Sequence, residues 1–120
     1  MPVRWVMDDC IFCKIARGEI PARILFEDEA LLCFADLNPA APTHHLLIPK
    51  RHIASLFELG ADDAPLAGRL LQKAGELARE LGLAEEGARF VINAGRDGGQ
   101  TVGHLHLHIL GGRRLLWPPG

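Results

Sequence analysis

The chain has no excess of charge of either sign. Thirteen Lys and Arg face fifteen Asp and Glu, for a formal charge of −2 and a pI near 6.3, and neither sign collects in a run. Nothing in that balance suits a polyanionic partner such as nucleic acid. A long apolar run is missing too: the longest is Leu31 to Ala35 with Ala30 before it, against the roughly 18 residues that a membrane-spanning helix needs. Asp8 and Asp9 interrupt the first ten residues before an apolar stretch develops, so this region does not read as a secretory signal, and the expected location is the cytoplasm. Cysteine is scarce and odd in number. Cys10 and Cys13 lie close together and Cys33 stands alone, which is no disulfide framework and points to reduced thiols or a metal. Repeats, low-complexity tracts and linkers are absent, as are a Gly-rich phosphate loop ending in Lys and Ser or Thr and an acidic cluster suited to Mg²⁺. Metal-assisted phosphoryl transfer is thereby disfavoured.

What is present is one domain's worth of core. The 120 residues are 48% hydrophobic, enough to bury roughly 65% of the unfolded surface, and residues 1–120 read as a single domain. Ile11, Phe12, Ile15 and Ala16 fall at helical spacing between Cys10 and Arg17, with Gly18 placed to end a short helix. Ile24 to Glu27 and Leu31 to Ala35 read as a hairpin, and His44 to Ile48 as a third strand between Pro42 and Pro49. From about Ala64 to Leu81, Leu66, Ala67, Leu70, Leu71, Ala74, Leu77, Ala78 and Leu81 form the stripe of a long helix, with Asp62 or Asp63 as cap, Pro65 in the first turn and Gly82 beyond the end. Arg89 to Ala94 and Val102 to Leu110 complete five strands, joined by a loop, Gly95 to Thr101, too rich in Gly to be regular. Antiparallel strands with one long and one short helix make an α+β domain.

Three of the six histidines, His104, His106 and His108, alternate with Leu105, Leu107 and Ile109. In a strand this period of two sends the imidazoles to one face and the aliphatic side chains to the core. Clustered imidazoles bind metals or do acid, base and nucleophilic chemistry near neutral pH. Spacing alone leaves that choice open. Cys10-x-x-Cys13 is likewise open between inert packing, a redox pair and metal ligation, with His44 and His52 the nearest further ligands.

Asn93, Gly99-Gln100-Thr101-Val102 and His104-Leu105-His106-Leu107-His108-Ile109-Leu110 together resemble the histidine triad (HIT) family. Asp36-Leu37-Asn38-Pro39, Pro42-Thr43-His44, Ile48-Pro49-Lys50-Arg51-His52-Ile53 and the terminal Trp117-Pro118-Pro119-Gly120 resemble its purine nucleoside phosphoramidase branch, over a span from about Cys10 to the last residue. The resemblance implies a five-stranded antiparallel sheet that continues across a homodimer. It implies hydrolysis of nucleoside 5′-phosphoramidates or acyl nucleotides, such as adenosine 5′-phosphoramidate, through a covalent nucleotidyl-histidine. His106 matches the nucleophile, His108 the residue that contacts phosphate and assists the leaving group, and His44 a fourth histidine facing the triad.

Further roles come from the resemblance residue by residue. Thr101 matches a hydroxyl near the phosphate, Gly99 and Gln100 bring backbone and amide groups there, and Asp36, with Asn38 in the same motif, receives the ribose. Phe12, Ile15, Phe34 and Leu46 lie where the family builds its base pocket, Asn93 ends its strand near substrate, and Trp117 shapes leaving-group choice across the dimer. No cofactor is implied for catalysis. Some bacterial members hold a structural zinc on residues matching Cys10, Cys13, His52 and His104, which would make His104 an anchor for the strand that bears His106. Lys50-Arg51 and Arg113-Arg114 read as solvated surface pairs. Competing readings are a dinucleoside polyphosphate hydrolase, a nucleotide-binding scaffold with incidental activity, and a zinc enzyme liganded by His104, His106 and His108.

Overall fold

Residues 9–120 are described by a computed structural model. A six-residue helix α1 (Ile11–Ala16) starts behind Cys10, whose thiol accepts from the Cys13 N–H at 3.4 Å. Strands β1 (Ile24–Glu27) and β2 (Leu31–Ala35) form the expected hairpin. At its turn Asp28 Oδ1 accepts from the Ala30 and Leu31 amides at 2.9 and 2.7 Å, and Arg69 pairs with the other oxygen. Strand β3 (Thr43–Pro49) pairs with β2, and after two short 3₁₀ turns helix α2 (Ala64–Glu80) crosses one face. Strand β4 (Ala88–Ile92), a single turn α3 (Gly95–Gly98) and strand β5 (Leu107–Gly111) follow. The sheet is antiparallel throughout, in the order β1-β2-β3-β5-β4, so β1 and β4 are its edges.

Alternation along the strands divides the interior in two. Leu31, Cys33, Leu47, Leu107 and Ile109 meet Leu70, Ala74, Leu77 and Ala78 of α2. Leu32, Phe34, Leu46 and Ile48 point the opposite way, onto Phe12, Cys13 and Ile15 of α1. The β2 run Leu31 to Phe34 is buried on both faces for that reason, as an unbroken apolar strand should be.

Three local expectations change. The strand expected from Val102 begins only at Leu107, because Val102 to His106 bonds to the chain after β3 instead of to a ladder: Leu105 N–H donates to the Ile53 carbonyl at 2.7 Å. The Gly-rich loop holds one helical turn, closed by Gly99 at φ +85°, a left-handed conformation that favours glycine. Asp63 stands at the start of α2 without capping it; its carboxylate takes the Gly60 N–H at 2.8 Å and pairs with Arg51.

Candidate functional site

The histidines gather on the α1 side of the sheet. Leu105, Leu107 and Ile109 fill the α2-side core, while His104 and His106 are buried and His108 is partly so. The alternation thus persists through His104 and His106, which precede β5. The His106 and His108 rings lie 4.9 Å apart between centroids, and Phe12 meets the His106 ring edge-on at 5.2 Å.

Hydrogen bonds to backbone fix which nitrogen carries each proton. A carbonyl only accepts, so His106 Nδ1 donates to the His104 carbonyl at 2.7 Å and its Nε2 is left with a lone pair. An amide only donates, so the Ala40 N–H makes His44 Nδ1 an acceptor at 2.9 Å. Neutral His44 therefore has its proton on Nε2, which donates to His108 Nδ1 at 2.9 Å. The proton of neutral His108 then sits on Nε2, a buried atom with no partner. Burial lowers the His44 pKa, with Asp36 opposing. Burial pushes His108 down to about 4, helped by His106 and His44 and opposed by Asp36. Kept neutral by burial, His44 and His108 leave a donor at His108 Nε2, beside the lone pair that the bond to the His104 carbonyl assigns to His106 Nε2.

Both histidines line a cleft of about 260 Å³ whose wall comes from Phe12, Ile15, Phe34 and Leu46. Asp36, Asn38 and the exposed Thr101 lie on the same cleft. Asp36 Oδ1 accepts from the Asn38 N–H at 2.8 Å, and Oδ2 stands 3.4 Å from His44 Nε2. The segment Ile20-Pro21-Ala22 between α1 and β1 also contributes to the wall; the sequence reading passed over it because its residues carry no periodicity. Asn93, Gly99, Gln100 and Trp117 do not line it. Gln100 spends its amide on three backbone groups, and Trp117 is 80% exposed. Three members of the cationic pairs are bonded to the protein: Lys50 to Glu27, Arg51 to Asp63, and Arg113 Nη2 to the Ala40 carbonyl at 2.9 Å.

Among the described residues, His104, His106 and His108 do not bring three ligand atoms to one point, contrary to the three-histidine metal reading. His104 turns away. Its Nε2 donates to the Pro49 carbonyl at 2.8 Å, and its Nδ1 lone pair faces Cys10 Sγ at 3.3 Å and Cys13 Sγ at 3.5 Å. His52 Nδ1 lies 3.3 Å from Cys13 Sγ. The four ligand atoms are within 4.8 Å of one another, and the sulfur–nitrogen spacings are close to the roughly 3.5 Å that a tetrahedral zinc would impose. A carbonyl behind a ligating imidazole is the usual outer support. Burial, together with the Cys10 thiol, pushes Cys13 up to about 11, so a cation is what would hold it as thiolate. The residues fit zinc. Asp36, His44 and His108 also converge, but the Ala40 N–H occupies His44 Nδ1, and a metal on Nε2 would demand an imidazolate.

Residues 17–115 match the HIT domain family. The chain is 54% identical over 113 residues to an uncharacterized HIT-like protein of Synechocystis, covering 94% of this chain and 98% of that protein. Its structure superposes on a HIT family hydrolase from Legionella pneumophila with a TM-score of 0.92 at 53% identity, over 93% of this chain and all, 100%, of the other. A histidine triad protein from Clostridium difficile gives 0.87 at 44% identity, over 95% and 96% of the two chains.

Proposed function

This chain belongs to the HIT domain family, and on that footing we propose that it hydrolyses nucleoside 5′-phosphoramidates or acyl nucleotides, purine nucleotides foremost, through a nucleotidyl-His106 intermediate. The observation that carries the reading is the pair of fixed tautomers at the cleft: a lone pair on His106 Nε2 and a proton on His108 Nε2. The apolar wall suits a purine, Asp36 a ribose hydroxyl, and Thr101 a phosphoryl oxygen.

The anionic phosphoryl group opposes the burial that keeps His108 neutral, so the His44–His108 pair and Asp36 together take up one proton with substrate, held where Asp36 Oδ2 faces His44 Nε2 at 3.4 Å. His106 Nε2 forms a bond to the α-phosphorus while the bond to the leaving nitrogen breaks. The His108 Nε2 proton goes to that nitrogen as the His44 Nε2 proton moves to His108 Nδ1 and the added proton takes its place on His44 Nε2. In the second half, neutral His108 takes a proton from water as its oxygen attacks phosphorus. The bond to His106 breaks, and the nucleoside monophosphate leaves with the pair protonated as before. Two displacements retain configuration at phosphorus.

Cys10, Cys13, His52 and His104 would hold a structural zinc that ties α1 to the segment entering β5; with four protein ligands it leaves no open position for chemistry. We further propose a homodimer through β4, an edge strand with Phe90 exposed on it. Arg89 of β4 bonds the Leu115 and Leu116 carbonyls at 3.2 and 2.7 Å and so keeps the chain before Trp117 at that edge, where it would reach a partner's cleft. The cytoplasm suits a chain whose three cysteines are unpaired.

Intact-protein mass after rapid acid-free quenching with adenosine 5′-phosphoramidate, measured beside AMP release, tests the mechanism. Wild type should show a transient adduct of one adenylyl group that is missing, along with AMP release, in His106→Ala. AMP release surviving in that variant removes the nucleophile assignment.

A further inference from the structure

Gln100 stands one residue before Thr101, where a contact to the phosphate was expected of it, yet its amide is committed elsewhere. Oε1 accepts from the Gly95 N–H at 2.9 Å, and Nε2 donates to the Ala54 carbonyl at 2.7 Å and the Val102 carbonyl at 2.9 Å. A carboxamide has two N–H donors, so none remains for a phosphoryl oxygen. The three bonds join α3, the chain leaving β3, and the start of the histidine segment. That segment has no ladder before Leu107. Its backbone is held by the Gln100 bond to Val102, the His104 N–H on the same Val102 carbonyl at 2.8 Å, and the Leu105 N–H on Ile53 at 2.7 Å, and its His104 ring by the Pro49 carbonyl at 2.8 Å. His106 takes its tautomer from the His104 carbonyl inside this stretch.

We propose that Gln100 is a positioning residue: it moors the chain from Val102 to His106 against Ala54 and Gly95, and so aims the His106 Nε2 lone pair, without touching the nucleotide. A side chain does here what a strand ladder does for His108. The effect on rate follows from orientation, since a nucleophile displaced by about 1 Å loses on the order of 10²-fold. The kinetic part of the inference rests on the proposed hydrolysis; the mooring does not.

Gln100→Met preserves the length of the side chain and removes both donors and the acceptor. The expected result is a fall in kcat of roughly 10- to 100-fold with adenosine 5′-phosphoramidate, with KM changed less than about threefold because the cleft wall is untouched. In the same variant without nucleotide, ¹⁵N imidazole spectra should show the single Nδ1–H tautomer of His106 giving way to a mixture. An unchanged His106 spectrum overturns the proposal, as does a rise in KM with kcat preserved, which would make Gln100 a substrate ligand. Wild type inert toward the phosphoramidate would sink the hydrolase reading instead, while the spectra still decide the mooring. Should the variant fail to fold, the wild-type Gln100 amide protons decide. Slow exchange that persists under saturating AMP is the expected result, and fast exchange, or release of those protons by AMP, overturns it.

Discussion

On the α2 side of the sheet, Leu31, Leu47, Leu107 and Ile109 are closed over by a helix of 17 residues that presents Leu70, Ala74 and Leu77. On the α1 side the same strands meet a helix of six residues, a length at which helix formation in water is unfavourable without outside support. The support differs in kind. The long helix is fastened by apolar area, whereas the short one brings two thiols to two imidazoles and a phenyl ring to the edge of a third. A closed apolar face has no room for a reactant. The face covered by a short helix retains a cleft, and beside it backbone groups orient His44 and His106. The apolar core and the clustered imidazoles thus sit on alternate residues of one extended stretch that runs into β5, Leu107 and Ile109 against His106 and His108.

That division is broken most directly by paired substitutions one residue apart. His106→Ala should lower turnover of adenosine 5′-phosphoramidate by about 10³-fold or more with little change in unfolding free energy, as loss of a covalent nucleophile does. Leu107→Ala should cost about 2–5 kcal/mol of stability by leaving a hole beneath α2, with kcat of the folded fraction within a few-fold of wild type. Denaturant titration and steady-state kinetics on the two variants read both quantities. Equal loss of activity in both would mean that the two faces are not separable.

The alternation behind this comparison was legible in the sequence, because period two survives wherever the chain is extended, ladder or not. The end of the ladder was not legible. Val102 to His106 keeps the alternation of a strand while its Leu105 bonds to Ile53, about 50 residues earlier in the chain, and no local pattern announces such a partner. Gln100 escaped for the same reason: its amide reaches Ala54 in space, though the family resemblance put it near the phosphate. Asp63 had the right residue type for a helix cap, but the Gly60 amide and Arg51 hold its carboxylate. The apolar face of α2, a stripe of 3.6-residue period ending before Gly82, was readable except at Leu71, which borders the stripe and is 61% exposed.

Zinc sharpens the comparison from the other side. Purified without chelator, the protein should contain about one zinc per chain. Its removal should cost on the order of several kcal/mol, a fall in melting temperature of more than about 10 °C for a domain of this size. His52→Ala should lower metal content and stability together while leaving the α2-side core intact. A full zinc complement in that variant would show that His52 is not a ligand.

A smaller effect separates the faces by pH. Asp28, in the β1–β2 turn, reaches across to Arg69 on α2. Desolvation opposes its ionisation, but the Arg69 guanidinium and the Leu31 and Ala30 amides outweigh that and hold its carboxyl down at about 2. A carboxyl whose folded pKa is depressed adds stability that is complete above its unfolded value, near 3.8, and that is lost as pH falls toward the folded value. Asp28→Asn retains an oxygen for the two turn amides and removes the ion pair, so it should melt below wild type at pH 6. That gap should close between pH 4 and about 2, with AMP release at pH 7 unchanged because Asp28 lies away from the cleft. A gap that stays constant down to pH 2 would mean that Asp28 acts through its amide bonds alone, and that charge contributes nothing to how the long helix is fastened.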